Sequence, residues 1–246
     1  MRRLLTDALH TLAPPPDDRH GPLPPLLLTL TVVTGLVDAV SYLSLGHVFV
    51  ANMTGNVVFL GFALAGAPNL SALASVAALA AFLVGALAGG RLGTRFATHR
   101  GHLLKRATAM QTVLVAVSVA VAAATDGEVT TGVQYSLIVS LGLGMGLQNA
   151  VARRLGVPDM TTTVLTLTLT GLAADSTPAG GAAPRPGRRI LSVLAMLFGA
   201  FAGTELLLHG HLVLTLGLTL LLLALTSLAT HRLADGDPAW TRSGAA

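Results

Sequence analysis

Arg91-Leu-Gly-Thr-Arg95-Phe-Ala-Thr-His-Arg100-Gly-His-Leu-Leu-Lys105-Arg106 sets five positive charges and no acid between two long apolar runs. Lys and Arg beside membrane-spanning helices are held on the cytoplasmic side. The run before this segment, Leu70–Gly90, therefore enters the cytoplasm, and the run after it, Ala107–Ala124, leaves it. A spanning helix needs roughly 20 mostly apolar residues to cross about 30 Å of hydrocarbon. Four further stretches meet that requirement: Pro25–Leu45, Thr131–Ala150, Ile190–Leu208 and Leu212–Ala229. Composition agrees, with 52% hydrophobic and 11% charged residues and a mean hydropathy of +0.72. Soluble domains carry about 25% charged residues.

The remaining loops complete the topology. Asp126 and Glu128 sit in a connection without a basic residue and read as external. Arg153 and Arg154 precede the short stretch Val157–Ala174, and Arg185, Arg188 and Arg189 follow it, so both its ends are cytoplasmic. The hairpin around His209-Gly-His211 lacks Lys and Arg and is external, while His231 and Arg232 return the chain to the cytoplasm. By parity, the other short stretch, Val48–Gly66, begins and ends outside. Neither short stretch crosses. Irregular backbone at membrane depth must be buried in protein or line a cavity, so both are expected to face the interior. The chain reads as an all-α polytopic membrane protein with six full transmembrane helices plus two broken or re-entrant partial helices, both termini being cytoplasmic.

The sequence is also duplicated. Gly35-Leu-Val-Asp-Ala-Val40 matches Gly146-Leu-Gln-Asn-Ala-Val151 at four of six positions, with Asp38 opposite Asn149. Leu45-Gly46 matches Leu155-Gly156, Met53-Thr54 matches Met160-Thr161, and Gly85-Ala-Leu-Ala-Gly89 matches Gly199-Ala-Phe-Ala-Gly203. Fixed order and nearly fixed spacing mark an internal repeat. The loop charges give the two units opposite orientations, which makes an inverted repeat, as in many secondary transporters. The expected organisation is a cytoplasmic tail (1–24), a first membrane repeat (25–124), an external connector (125–130), a second repeat (131–230) and a short disordered cytoplasmic tail (231–246).

Several function classes are disfavoured. The chain has no cysteine, hence no disulfide and no thiolate metal site. Its pI of about 10.6 reflects arginines gathered in loops, and no basic stripe with interleaved aromatics points to nucleic acid. Gly142-Leu-Gly-Met-Gly146 lies inside an apolar span with no preceding strand, which is the wrong context for a nucleotide-binding turn. Glu205 sits four residues before His209, with His211 beyond, and a metal there would need a third convergent group. No nucleophile–base spacing stands out. No enzyme activity, catalytic residue, cofactor or metal is expected.

The residues with chemistry gather at the repeat junctions. Asp38 is a carboxylate in the latter part of a span, where it costs roughly 2.5–3.5 kcal/mol on insertion scales and needs a cavity or a partner. It is a candidate proton or substrate site, or else a cap for the neighbouring broken segment. Asn149, with Gln148, supplies amide donors and acceptors at the matching place. Asn52-Met-Thr54-Gly-Asn56 interrupts the first partial span, and exposed amides of a helix beginning there attract an anion. Pro158-Asp159-Met-Thr161-Thr162-Thr163 is its counterpart, with Asp159 or Thr161 as the cap of a helix starting there. The threonines from Thr161 to Thr170 either line a polar path or bond between helices. The two Gly-x-x-x-Gly faces pack the halves together or serve a dimer.

The segment Gly35 to Val57 resembles the signature of the YoaK-type family of bacterial membrane proteins, and Gly146 to Thr163 is similar to that family's second signature. The resemblance runs over roughly Pro25 to Arg232. It implies a bacterial inner-membrane protein from a family of unassigned function described as small-metabolite transporters, and it lends no catalytic residue or substrate. The function expected is secondary transport of a small polar or anionic metabolite, proton-coupled through Asp38, with the substrate held by Asp38, Asn52, Thr54, Asn56, Gln148, Asn149, Asp159, Thr161 and Thr162. The alternatives are a non-transporting membrane assembly or partner-binding protein, or a passive channel. Expected partners are the lipid bilayer, the small solute and, left open, further copies of the chain.

Overall fold

Runs of Leu, Val and Ala without helix breakers leave the backbone one way to satisfy its polar groups away from water, which is the helix. In the computed structural model, which describes residues 2–15, 18–163, 165–235 and 238–242, the six long runs are helical but for one or two end residues such as Leu45, Leu70, Ser71 and Ala124. The α-helices among the described residues are α1 (Arg2–Leu12), α2 (Leu23–Ser44), α3 (Met53–Leu64), α4 (Ala72–Arg95), α5 (Arg100–Ala123), α6 (Thr131–Leu155), α7 (Leu165–Ala174), α8 (Pro186–Leu208) and α9 (Leu212–Leu233). Six of them, α2, α4, α5, α6, α8 and α9, are long and apolar enough to cross a membrane. Helices α3 and α7 have 12 and 10 residues. At 1.5 Å per residue they reach only about 15–18 Å, half of a bilayer core.

Helix ends are set by local chemistry. Ser71 Oγ accepts from the Ala74 amide at 3.1 Å and opens α4. Thr130 Oγ1 accepts from Val133 N at 3.4 Å and opens α6, which ends at Gly156 with φ +63°. That left-handed residue suits glycine, which carries no Cβ penalty. Helix α8 is capped from elsewhere in the chain, since the Asp7 carboxylate on α1 accepts from the Arg188 amide at 3.0 Å. Gly187 lets the two helices meet, because a Cβ there would lie 2.5 Å from the Leu4 carbonyl oxygen.

Contacts between loops show which ends share a side. The Arg100 guanidinium donates to the Arg19 carbonyl at 3.4 Å and also to the Leu155 carbonyl. Arg154 lies against Gly93, and Ala234 against Gly101. The start of α2, the α4–α5 turn, the end of α6 and the end of α9 thus meet at one basic end. At the opposite end the Gln134 side chain donates to the Leu45 carbonyl at 2.8 Å, and Val213 sits beside Gly127. The segment holding α3 leaves and returns at this second end, and the segment holding α7 at the basic end. Neither crosses the bundle.

Three expectations need correction. The basic segment 91–106 is largely not a loop: α4 runs through Arg95 and α5 begins at Arg100, leaving a four-residue turn, Phe96–His99. His99 Nδ1 accepts from the His102 amide at 3.0 Å and caps α5, so the charges project from helix ends. The C-terminal tail is ordered from Pro238 to Arg242, because Trp240 (8% exposed) packs over Gly21 and His99 pairs with Arg242 across a β-bridge. Gly236, Asp237 and residues 243–246 lie outside the described residues, as do Pro16 and Asp17. The third correction, at Pro158–Thr163, belongs to the site below.

The core is built from crossings that the glycines permit. Helix α2 packs along α8, and α4 along α6; α5 lies on α6 and α9, α9 on α2, α3 on α4, and α7 on α8. Exchanging α2–α5 for α6–α9 reproduces the same set of pairs. The atoms follow suit. A Cβ on Gly85 would lie 2.1 Å from the Leu143 carbonyl oxygen, and one on Gly146 2.0 Å from that of Phe82, on the α4–α6 crossing. On the α2–α8 crossing the figures are 2.1 Å for Gly199 against Val32 and 2.5 Å for Gly35 against Met196. Gly89 faces Leu147 and Ala150, while Gly203 faces Leu36 and Ala39, which are the matching residues of the other unit. Both Gly-x-x-x-Gly faces therefore join one half of the chain to the other.

Candidate functional site

The two interrupted segments converge on one cavity. It has a volume of about 730 Å³ and takes its lining from α2, the segment before α3, α3 itself, α4, α6, the start of α7, and α8. Gly35 and Asp38 face it from α2 and Asn149 from α6, with Asn52, Thr54 and Gly55 from the first break and Thr163 and Thr166 from the second. Phe49, Phe59, Phe82, Met53 and Met196 supply the apolar walls. Asp38 is the one ionisable side chain among the lining residues.

The first break is shaped by side chains that hold backbone. Gly46 (φ +84°) and His47 (φ +59°) turn the chain away from α2. The Asn56 amide then clamps Phe49, its Oδ1 accepting from the Phe49 amide at 2.8 Å while its Nδ2 donates to the Phe49 carbonyl. Asp38 Oδ1 accepts from the Ala51 amide at 3.2 Å. Helix α3 starts at Met53 without a side-chain cap at Asn52, and Met53, Thr54 and Gly55 of its first turn line the cavity. Phe49 stacks on both Tyr42 and Phe59, with centroids at 5.1 and 5.8 Å, which fixes the aromatic wall.

The second break departs from expectation. No helix begins at Pro158: residues 158–163 are irregular, Asp159 and Thr162 both take φ +64°, and α7 begins at Leu165. Val164 lies outside the described residues. A β-branched residue at positive φ is strained by about 1–3 kcal/mol and persists only where its surroundings dictate it. Here they do. Thr162 Oγ1 accepts from the Gln148 amide at 3.1 Å, and the Asp159 carboxylate is gripped by Arg185 Nε at 3.1 Å and Arg189 Nε at 3.0 Å. Arg189 also reaches Asp175 at 2.8 Å. The cap expected of Asp159 is thus replaced by an ion-pair cluster at the basic end.

The structure therefore sorts the nine sequence-predicted residues. Asp38, Asn52, Thr54 and Asn149 line the large cavity. Asn56 is fully buried behind it as the clamp on Phe49. Gln148, 3% exposed, is the hub of a polar network, donating to Thr34 Oγ1 at 2.9 Å and accepting from Gln111 Nε2 at 2.8 Å. Asp159, Thr161 and Thr162 border a crevice of about 10 Å³. That is room for about one water and no solute. Asp38 and Asn149, matched in the repeat, do matched work: each accepts a bond from the broken segment of its own unit, Asp38 from Ala51 and Asn149 from the Thr163 hydroxyl.

Sequence reasoning missed Gln111 and the phenylalanine wall. Gln111 carried a signal, being the lone amide side chain in the Ala107–Ala124 span. The phenylalanines carried none, since aromatic residues in apolar spans are ordinarily packing or lipid contacts. In the sequence Arg185 and Arg189 read only as loop charges, and Asp175 carries no signal of its own. Glu205 and His209 pair at 3.7 Å one helical turn apart.

Comparison with known proteins agrees with the architecture. The chain is 35% identical over 151 residues to the UPF0700 transmembrane protein YoaK of Bacillus subtilis (strain 168), a match covering 61% of this chain and 65% of that protein. The matched region is thus a little under two thirds of that relative's length. No solved structure matches the chain. Residues 26–229, which hold all six long helices and both breaks nearly entire, match the family described as "Protein of unknown function (DUF1275)". This multi-pass membrane protein belongs to that family.

Proposed function

We propose that the chain is a secondary transporter for a small polar solute, bound between the two breaks and coupled to a proton carried on Asp38. The observation that carries the proposal is the cavity of about 730 Å³ on which both interrupted segments converge. Discontinuous helices at the interface of inverted repeats are where such transporters bind their substrates. The exchangeable packing of α2–α5 and α6–α9, glycine for glycine, supports an inverted repeat, and the basic end supports a cytoplasmic side carrying both termini in a bacterial inner membrane.

The lining defines the chemistry offered to a solute. Amides at the α3 N-terminus donate, while Asp38, Asn149, Thr163 and Thr166 accept, so a solute carrying both a donor and an acceptor is the best match. The lining holds no Lys or Arg, which weakens the case for a purely anionic solute. As the one ionisable group present, Asp38 is the place for a coupling proton.

The test is flux in proteoliposomes holding a trapped pH dye, challenged in turn with amino acids, amines, hydroxy acids and sugars. A solute that moves protons through the wild-type protein and leaves Asp38→Asn inert to proton movement supports the proposal. Proton movement unaltered in Asp38→Asn removes Asp38 from the mechanism. If no solute class moves and cysteines at 52 and 54 stay closed to a small thiol reagent, the cavity is a sealed structural void and the protein does not transport.

A further inference from the structure

The basic segment that orients the chain also borders a second cavity, remote from the central one. Helices α4 and α5 are joined by a tight turn yet barely touch, because α4 is drawn onto α6 while α5 packs on α6 and α9. The two outer faces diverge and leave a crevice of about 370 Å³ at the basic end. Leu92 and Arg95 line it from α4, and Phe96, the first residue past its end, continues that face at a spacing of four from Leu92. Arg106, Ala109, Met110 and Val113 line it from α5 with the same periodicity. Met110 and Val113 are 45% and 63% exposed, so the apolar floor lies open on the lipid-facing side.

Two arginines belong to the lining. Arg95 and Arg106 are exposed, and neither makes an ion pair or hydrogen bond among the described residues. A smaller hollow of about 90 Å³ adjoins them, lined by Phe96, His102, Lys105 and Arg106. No carboxylate lines either hollow. At the matching place in the second unit, Glu205 and His209 stand where Arg91 and Arg95 stand in the first. The duplication thus placed charge of this kind on one α–α corner alone.

We infer that the α4–α5 crevice is a binding site for an anionic phospholipid, its phosphodiester held between Arg95 and Arg106 and one acyl chain laid along Phe96, Met110 and Val113. Guanidinium forks match phosphate oxygens and hold them with charge-assisted bonds. Basic pockets between transmembrane helices take anionic headgroups on physical grounds. The apolar floor decides between a lipid and a free anion, since a small hydrated phosphate gains nothing from Met110 or Val113.

The experiment is native mass spectrometry of the purified full-length protein in detergent, offered phosphatidylglycerol and phosphatidylcholine of the same chains in equal amounts. Wild type is expected to retain phosphatidylglycerol about tenfold over phosphatidylcholine. Arg95→Gln with Arg106→Gln should remove that excess, whereas Arg91→Gln with Arg153→Gln, an equal charge loss at the same end, should keep it. Met110→Gln should weaken retention with no change of charge. Equal losses in the two double variants would reduce the effect to diffuse attraction and overturn the site. Displacement of the lipid by millimolar inorganic phosphate, with Met110→Gln silent, would assign the arginines to a free anion and overturn it also. Neither outcome bears on transport through the central cavity.

Discussion

Gly146→Ala is the sharpest perturbation of the fold, since one methyl group is set against a fixed backbone atom. Its Cβ would lie 2.0 Å from the Phe82 carbonyl oxygen, about 1.4 Å short of the 3.4 Å at which ordinary contact begins. A carbonyl inside helix α4 has no rotamer to escape through, so α4 and α6 must part or tilt over their shared length. Overpacking of a close-packed interior costs typically about 1–3 kcal/mol. The upper half of that range is expected here because the obstacle is backbone, giving a fall in melting temperature of roughly 5–10 °C. Gly85→Ala and Gly199→Ala, each 2.1 Å from a carbonyl oxygen on its own crossing, should cost nearly the same as one another. Gly90→Ala and Gly217→Ala meet nothing within 4 Å and should be neutral or gain up to about 1 kcal/mol from helix propensity. Melting followed by size-exclusion in a mild detergent reads all five. Gly146→Ala melting with Gly90→Ala would refute close backbone approach as the basis of the crossing, and unequal penalties at Gly85 and Gly199 would refute the exchangeable packing.

Gln148→Leu should lose about 2–3 kcal/mol by stranding the buried donor of Gln111, and Gln111→Leu added to it should recover part of that loss, read by the same melting assay. Arg189→Gln should cost about 1–3 kcal/mol by loosening both Asp159 and Asp175, with Arg189→Lys intermediate; equal melting of the three proteins would show that the cluster is ornamental to folding. His20 is buried beside Arg100 and Arg19, and burial first, then those charges, lowers its pKa from 6.5 to about 4. Its neutral form is the one the fold accepts, so its contribution is full above about pH 6.5 and fades as the pH falls toward 4; His20→Gln should flatten the melting profile between pH 7 and 4.5, and an unchanged acid slope would place the sensitivity elsewhere. Because the chain has no cysteine, single cysteines at 46, 68, 156 and 180 can be probed on intact cells with an impermeant reagent; 46 and 68 should label and 156 and 180 should not, and a split within either pair would make that short segment a crossing one.

Most of the architecture was legible because membrane folding leaves few choices. Charge patterning at Arg91–Arg106 and Arg185–Arg189 ordered the spans, and the polar interruptions at Asn52–Asn56 and Pro158–Thr163 marked the two short segments. The site was legible only in part. Asp38, Asn52, Thr54 and Asn149 reach the cavity, whereas Gln148 and Asn149, neighbours in sequence, point to different surroundings because consecutive helical positions diverge by about 100°. Asp159 looked like a helix cap because its local sequence is that of one; the competing partners, Arg185 and Arg189, lie 26 and 30 residues away and left no local trace. Trp240 was missed for the same reason, its partner Gly21 sitting at the far end of the chain.

What differs between the two units says more about function than what they share. The shared residues at the helix crossings are the glycines, together with Leu36 and Ala39 opposite Leu147 and Ala150, and these act by shape. Shape must be preserved in both copies, since each crossing uses a glycine from each unit. Several charged and hydrogen-bonding groups have diverged: Asp38 against Asn149, Val37 against Gln148, Arg95 against His209. A pair of inverted halves with identical chemistry would make the inward and outward arrangements equal in energy, and a ligand or proton bound at the centre would favour neither. In the transport proposed above, Asp38, the one ionisable group among the described lining residues, on one half, and the Asp159–Arg189–Asp175 cluster on the other, would break that equality. Asp38→Asn with Asn149→Asp is therefore the decisive exchange. If position within the duplicated frame is what matters, the double variant should couple protons again with its directional bias altered; if Asp38 acts only by capping the Ala51 amide, the double variant should behave as Asp38→Asn alone.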